Sequence, residues 1–187
     1  MIKTHSITNK EYQESDLNFI LHFGFHPTPY GQSLIGISKW GIVALNFVLT
    51  GNEKAAVQAM KNDWAKSTFL ESPEMTQTVR DKLFKNTSKQ ASTGLELFVK
   101  GTPFQIRVWK ELLRVSYGSV AYYQEIARRI GHPKAFRAVG SAIAQNRIAY
   151  LIPCHRVIQK SGDPGQYRWG KEMKKELLDM ESSSLSV

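Results

Sequence analysis

At residue 101 the hydrophobic pattern of the chain becomes helical, and this change restricts the fold more than any other feature. "GTPFQIRVWKELLRV" places Thr102 as a helix N-cap, Pro103 at the first helical position and Gln105 where a capping box needs it. Phe104, Val108, Leu112 and Val115 follow at helical spacing. "SYGSVAYYQEIARRIGHP" predicts a turn and then a helix that Gly131 and Pro133 end. Another helix begins a few residues later, at "KAFRAVGSAIAQN". Two short helices joined by so short a glycine-containing link are the pattern of a helix-turn-helix.

The preceding half mixes strand and helix signals. "LNFILHFGF" (17–25) is a short apolar run of the kind a buried strand shows. "SLIGIS" and "IVALNFVL" flank Lys39-Trp40-Gly41, which predicts a hairpin whose turn the glycine permits. "EKAAVQAMKNDWAK" (53–66) sets Ala56, Met60 and Trp64 on one helical face, and "TQTVRDKLFKN" (76–86) predicts a second helix. Polar "NTSKQASTG" then leads into a strand at "LELFV". His22 and His26, beside the aromatic strand, read as structural histidines rather than ligands. The chain is therefore expected to be α+β with two domains, 1–98 and 99–187, and 187 residues suffice for a core in each.

Charge separates the same two halves. Residues 1–98 hold 10 Lys+Arg against 9 Asp+Glu, whereas residues 99–187 hold 15 against 7, so nearly all of the +9 net charge lies in the second half. Such an excess fits either a solvated basic surface or a face that binds a polyanion, with nucleic acid first. In the last helix of the pair, Ala135, Ala138, Gly140, Ser141, Ala142 and Ala144 are small and Arg137 is long. Small residues suit close helix packing or close approach to a nucleic-acid groove, and the basic surroundings favour the groove. A single cysteine excludes an internal disulfide and any zinc site built on two thiolates. The start "MIKTHSITNKEYQESDLN" has no apolar core of signal-peptide length, and no stretch reaches the roughly 18 apolar residues of a spanning helix. A soluble, cytoplasmic protein is expected.

That one cysteine is Cys154, in "YLIPCHRVIQK", between Pro153 and His155. A lone cysteine is usually a small buried hydrophobe, but a neighbouring imidazole can help to generate a reactive thiolate. Adjacent residues on an extended strand face opposite sides. Either Pro153 bends the chain to bring the pair together, or a water relays the proton. Thiolate, imidazole and a distant orienting group also describe cysteine hydrolases, and spacing alone does not choose between these chemistries.

"IPCHRVI", with "RAVGSAIAQN" upstream and "GQYRWG" downstream, resembles the 6-O-methylguanine-DNA methyltransferases, especially the bacterial members. The resemblance runs from about Gly101 to Glu181; the first half matches only in general layout. It implies an N-terminal ribonuclease-H-like α/β domain and a C-terminal, mainly helical, winged-helix-like domain. It implies that Cys154 accepts an alkyl group from 6-O-alkylguanine in duplex DNA, once and irreversibly, after the base is flipped out. 4-O-methylthymine is a further substrate to consider. His155 would take the thiol proton through a water, Glu181 would orient His155, and Tyr123 would protonate the departing base. Asn146 would tie the recognition helix to the active-site turn. Arg137 would fill the gap in the stack, with Ala135, Ala138, Gly140 and Ser141 against the DNA. Pro153, Val157, Tyr167, Arg168 and Trp169 would wall the pocket.

The resemblance implies no cofactor and no metal, since the cysteines of the animal zinc site are missing here. It also implies a monomer acting on double-stranded DNA that carries 6-O-alkylguanine, with cooperative binding along the DNA left open. Pro164 and Gln166 stand where many relatives have an aliphatic residue and a glycine, which gives this loop its own shape. Two other readings compete. A non-enzymatic damage sensor of the alkyltransferase-like kind has another residue in place of the cysteine, and Cys154 argues against it. A cysteine hydrolase explains neither the basic half nor the Arg137 helix.

Overall fold

In the computed structural model, residues 2–48, 51–84 and 94–183 are described, and the chain divides into two units, Met1–Gly101 and Thr102–Val187. The first unit runs β1 (Lys3–Thr8), α1 (Asn9–Glu14), β2 (Ile20–Thr28), β3 (Gly31–Ser38), β4 (Gly41–Val48), α2 (Glu53–Asp63), β5 (Thr68–Glu71), α3 (Pro73–Phe84) and β6 (Glu96–Gly101). The sequence pattern places the boundary after residue 98. Strand β6 instead continues to Gly101, paired with Thr8 of β1, and carries the division with it.

The six strands form one mixed sheet in the order β1-β6-β4-β3-β2-β5. β2, β3 and β4 make an antiparallel meander, while β1 pairs with β6, β6 with β4, and β5 with β2 in parallel. The predicted hairpin forms around Lys39 and Trp40, but Gly41 does more than permit its turn. Its φ is +127°, and a Cβ there would lie 2.4 Å from the Glu96 carbonyl oxygen, so glycine lets β6 reach β4. Met60 and Trp64 dock α2 on a cluster of Tyr12, Phe19, Leu21, Phe23 and Phe98, with Ala56 packed at its margin, as their spacing predicts. α3 begins at Pro73, earlier than the pattern suggests; Lys85, Asn86 and most of "NTSKQASTG" lie outside the described residues. His22 bonds Ser72 at 3.0 Å and His26 bonds Thr76 at 2.7 Å, so both histidines hold β2 to the start of α3.

β1, α1 and β5 do not stand out in the sequence. α1 has a capping box: Thr8 Oγ1 accepts the Glu11 amide, and Glu11 accepts the Thr8 amide. The polar faces of these elements dilute the periodic signal.

The second unit contains α4 (Pro103–Leu112), β7 (Ala121–Tyr122), α5 (Tyr123–Arg129), α6 (Phe136–Ala144), a 3-10 turn at Cys154–Arg156, β8 (Val157–Ile158) and α7 (Lys171–Ser183). Thr102 and Gln105 form the expected reciprocal cap, with bonds of 3.2 and 2.8 Å. α4 buries Ile106, Val108, Trp109 and Leu112, and the Trp109 indole donates to the Ala142 carbonyl at 2.9 Å, locking α4 to α6. α6 buries Val139, Ala142 and Ile143, which leaves Arg137, Ala138 and Ser141 exposed. β7 and β8 pair in parallel, Ala121 opposite Val157. Among the described residues no helix is long and apolar enough to cross a membrane.

Gly41→Ala therefore combines backbone strain with a clash and should cost about 2–4 kcal/mol in urea unfolding. Gly31 also has positive φ (+95°), but nothing lies within 4 Å of its Cβ position. Gly31→Ala should cost only about 1 kcal/mol. Equal losses would refute the close-approach explanation.

Candidate active site

After α6 the chain makes a series of tight turns that specific residues hold. The buried Asn146 donates from Nδ2 to the carbonyls of Ile148 (3.1 Å) and Ile152 (3.2 Å), and its Oδ1 accepts the Ile148 amide at 2.9 Å. Tyr150 has φ +65°, and around it the Leu151 amide donates to the Ala149 carbonyl at 2.6 Å. This is a γ-turn of the strained hand, of the kind that persists where surroundings over-determine it. Pro153, at φ −80° and ψ 61°, centres an inverse γ-turn in which the Cys154 amide donates to the Ile152 carbonyl at 2.7 Å. The pyrrolidine ring fixes φ near the value this turn requires.

These turns set Cys154 among buried polar groups. Asn146 Nδ2 lies 3.2 Å from Sγ, and the Tyr167 hydroxyl bears on the sulfur too, though it makes no full hydrogen bond among the described residues. Burial pushes the thiol pKa up, and Asn146, Tyr167 and the charge of Lys174 offset only part of that rise. The thiol is thus protonated at neutral pH.

His155 does not bond the sulfur. Its Nε2 meets Glu181 Oε1 at 2.8 Å. Glu181 also accepts Arg156 Nε at Oε2 (2.8 Å), an Arg156 terminal nitrogen at Oε1 (2.9 Å) and the Gly118 amide at Oε2 (3.1 Å). Both lone pairs on each carboxylate oxygen are thereby used. Burial alone would raise the Glu181 pKa, but the bonds from His155 and Arg156 hold it down to about 2. Burial lowers the pKa of His155; Glu181 opposes this, while Arg156 and Lys174 reinforce it. Arg156 neutralises the carboxylate, so His155 need not carry charge. An ionised carboxylate can only accept, so Nε2 donates and Nδ1 holds a lone pair. Nδ1 is buried and has no hydrogen-bond partner among the described residues.

Two residues of this network are missed when the sequence is read by charge and motif. Arg156 follows the Cys-His pair and also donates to the Val115 carbonyl at 2.7 Å. Lys174 is fully buried; its Nζ donates to the Val157 carbonyl at 2.6 Å and to the Pro164 carbonyl. Burial lowers its pKa to about 8, against the pull of Cys154 and Asp163. A signal was present: Lys174, Leu177 and Glu181 share one face of α7, so a helix that turns Glu181 inward must turn Lys174 inward as well.

The remaining candidates divide into two groups. Burial chiefly, then the nearby Cys154 and Asp163, raises the Tyr123 pKa, so its phenol stays protonated. Gly165, at φ +72°, has its Cβ position 3.3 Å from the Tyr123 hydroxyl, which brings the Pro164 loop against that group. Tyr167 packs edge-on to Trp169 at 5.2 Å, and Arg168 donates to the Ala144 carbonyl at 3.2 Å. Pro153 and Val157 are buried; Val157 faces Lys174 with its carbonyl and acts in the site through its backbone. Ala135, Arg137, Ala138, Gly140 and Ser141 stay on or beside α6, with Gly140 next to the Tyr123 ring. Among the described residues no cluster of three metal-ligating side chains is present.

Residues 103–183 match the family described as 6-O-methylguanine DNA methyltransferase, DNA binding domain. The methylated-DNA–protein-cysteine methyltransferase of Methanosarcina barkeri is 35% identical over 88% of this chain and 99% of its own length. The chain belongs to the 6-O-methylguanine-DNA methyltransferase family. The bifunctional transcriptional activator/DNA repair enzyme Ada of Escherichia coli is 32% identical over 97% of this chain. That match covers 51% of Ada, so the chain spans about half the length of that relative. The crystal structure of Mycobacterium tuberculosis OGT in complex with DNA matches with a TM-score of 0.69 and 30% identity, covering 87% of this chain and 93% of that one.

Within this methyltransferase fold, the Glu181 network makes a pH-dependent contribution to stability. The folded pKa of about 2 lies below the ordinary 4.5, so the contribution is complete above about pH 4.5 and is lost as pH falls through 2. Glu181→Gln should cost roughly 3–5 kcal/mol in denaturant unfolding at pH 7, because it leaves Arg156 without its counter-charge. The gap from wild type should shrink below pH 4.5. A gap independent of pH would contradict the network.

Proposed function

We propose that this chain repairs DNA by moving the alkyl group of 6-O-alkylguanine in duplex DNA onto Cys154, once per molecule. One observation carries the proposal: a protonated, buried thiol lies beside a neutral histidine whose free Nδ1 lone pair is held by the Glu181–Arg156 pair. The base accepts the thiol proton through a bridging water, for which the unpartnered Nδ1 supplies the acceptor. The sulfur attacks the alkyl carbon, an S–C bond forms, the O–C bond breaks, and its electron pair stays on guanine. Tyr123, kept protonated by burial, donates the proton that neutralises the departing base. The thioether has no easy exit, so the molecule is spent.

The methylated oxygen is out of reach inside the stack, and the nucleotide must leave the duplex, at a cost of a few kcal/mol. α6 is suited to extruding it, since its exposed small residues allow close approach to the minor groove and Arg137 can fill the space left in the stack. The DNA complex of the M. tuberculosis relative supports DNA as the partner. 4-O-methylthymine presents the same kind of bond and is the second substrate we assign. We read the Met1–Gly101 unit as ribonuclease-H-like, on its antiparallel meander with parallel flanking strands, and the Thr102–Val187 unit as winged-helix-like, on its helix-turn-helix and short β7–β8 pair. The protein acts as a cytoplasmic monomer.

Duplex DNA with one 6-O-methylguanine, incubated with equimolar protein, should yield a tryptic Cys154 peptide heavier by one methyl group, with activity lost in proportion. Cys154→Ala should bind the same DNA and accept nothing. Repeated turnover, or an unmodified Cys154 peptide from DNA-bound protein, would contradict the proposal.

A further inference from the structure

Three large hydrophobic side chains are exposed among the described residues of the Thr102–Val187 unit: Val120 (47%), Tyr122 (40%) and Phe136 (37%). Their placement is not scattered. Val120 and Tyr122 lead directly into Tyr123, and Phe136 directly precedes Arg137. Phe136 opens α6, whose other exposed side chains besides Arg137 are the small Ala138, Ser141 and Ala144. The Arg137 guanidinium stands 5.8 Å from the centroid of the Phe136 ring, near enough for the ring to steady the cation. A phenylalanine held in water gains nothing for the free protein, since its burial would be favourable. Exposed apolar side chains set directly beside Tyr123 and Arg137 suit a surface that another molecule covers.

The charge of this half of the chain points to that molecule. Residues 99–187 carry a net +8, with 15 Lys+Arg against 7 Asp+Glu, which disfavours a second copy of this equally basic half and favours a polyanion. Proteins that work in the minor groove insert apolar side chains between base steps, unstacking them and bending the duplex. We propose that Phe136 is such a wedge. It enters the base step beside the damaged nucleotide while Arg137 occupies the space left behind, and Tyr122 and Val120 form an apolar rim against the sugars. This inference rests on the function proposed above and adds a second residue to the work of extrusion: Phe136 opens the step and Arg137 keeps it open.

The test compares alkyl transfer to Cys154 from 6-O-methylguanine in duplex DNA with transfer from the same single strand, where no paired stack has to open. Phe136→Ala should slow transfer on the duplex about tenfold and change it less than twofold on the single strand, while Phe136→Leu retains most of the duplex rate. An adenine analogue, 2-aminopurine, placed next to the lesion should brighten on binding of wild type and remain dim with Phe136→Ala. Phe136 is exposed, and unchanged melting of the variant verifies its fold. Unchanged duplex transfer, equal slowing on both substrates, or a change in self-association alone would overturn the wedge. Absence of transfer by wild type on either substrate would overturn the repair function itself, and the wedge with it.

Discussion

A buried carboxylate with all its lone pairs occupied governs the site. Burying Glu181 alone would favour its neutral form, and then nothing would orient His155. Arg156 changes that balance, since a guanidinium stays charged and its fork fits both oxygens. With the negative charge already matched, the Glu181–His155 bond fixes a ring orientation without forcing the imidazole to hold a proton. Nδ1 keeps its lone pair, and burial holds the Cys154 thiol in its protonated form.

The fold supplies this arrangement through turns more than through regular structure. Asn146 closes the segment after α6 with bonds to two carbonyls, an amide and the sulfur, so any shift of α6 is felt at Cys154. Tyr150 and Pro153 complete the path by two successive γ-turns, one strained and one suited to proline. α7 closes the other side, with Lys174 joining β8 to the Pro164 loop and Glu181 reaching the histidine. The exposed face of α6 and the buried Cys154 are thus connected over a short stretch of backbone.

Much of this was legible in the sequence, for identifiable reasons. Caps and periodicity announced α4, α5 and α6, because Thr102, Gln105 and Gly131 act locally. Met60 and Trp64 announced the buried face of α2 in the same way. β1 and β5 were hidden because short strands with polar faces carry little period-two signal. The β6 boundary depended on pairing with distant β1, and the need for Gly41 depended on β6 passing close by. At the site, the resemblance pointed to Cys154, His155, Asn146 and Glu181, which the structure joins as two hydrogen-bonded pairs, Asn146 with Cys154 and His155 with Glu181. Arg156 and Lys174 escaped notice because a basic side chain in a basic half looks solvated. Only tertiary packing reveals that both are structural cations. The adjacency of Cys154 and His155 proved an incomplete guide, since the ring turns its Nε2 to Glu181 and no direct bond joins the pair.

The most direct measurement of the central claim is the protonation state of the His155 ring. In protein labelled with nitrogen-15 at histidine, the nitrogen chemical shifts report tautomer and charge for each ring. The Glu181–Arg156 network predicts a neutral His155 at pH 7, protonated at Nε2 and bare at Nδ1, with no change until the medium is acidic. A charged imidazolium at pH 7, or a proton on Nδ1 with Nε2 bare, would contradict the account.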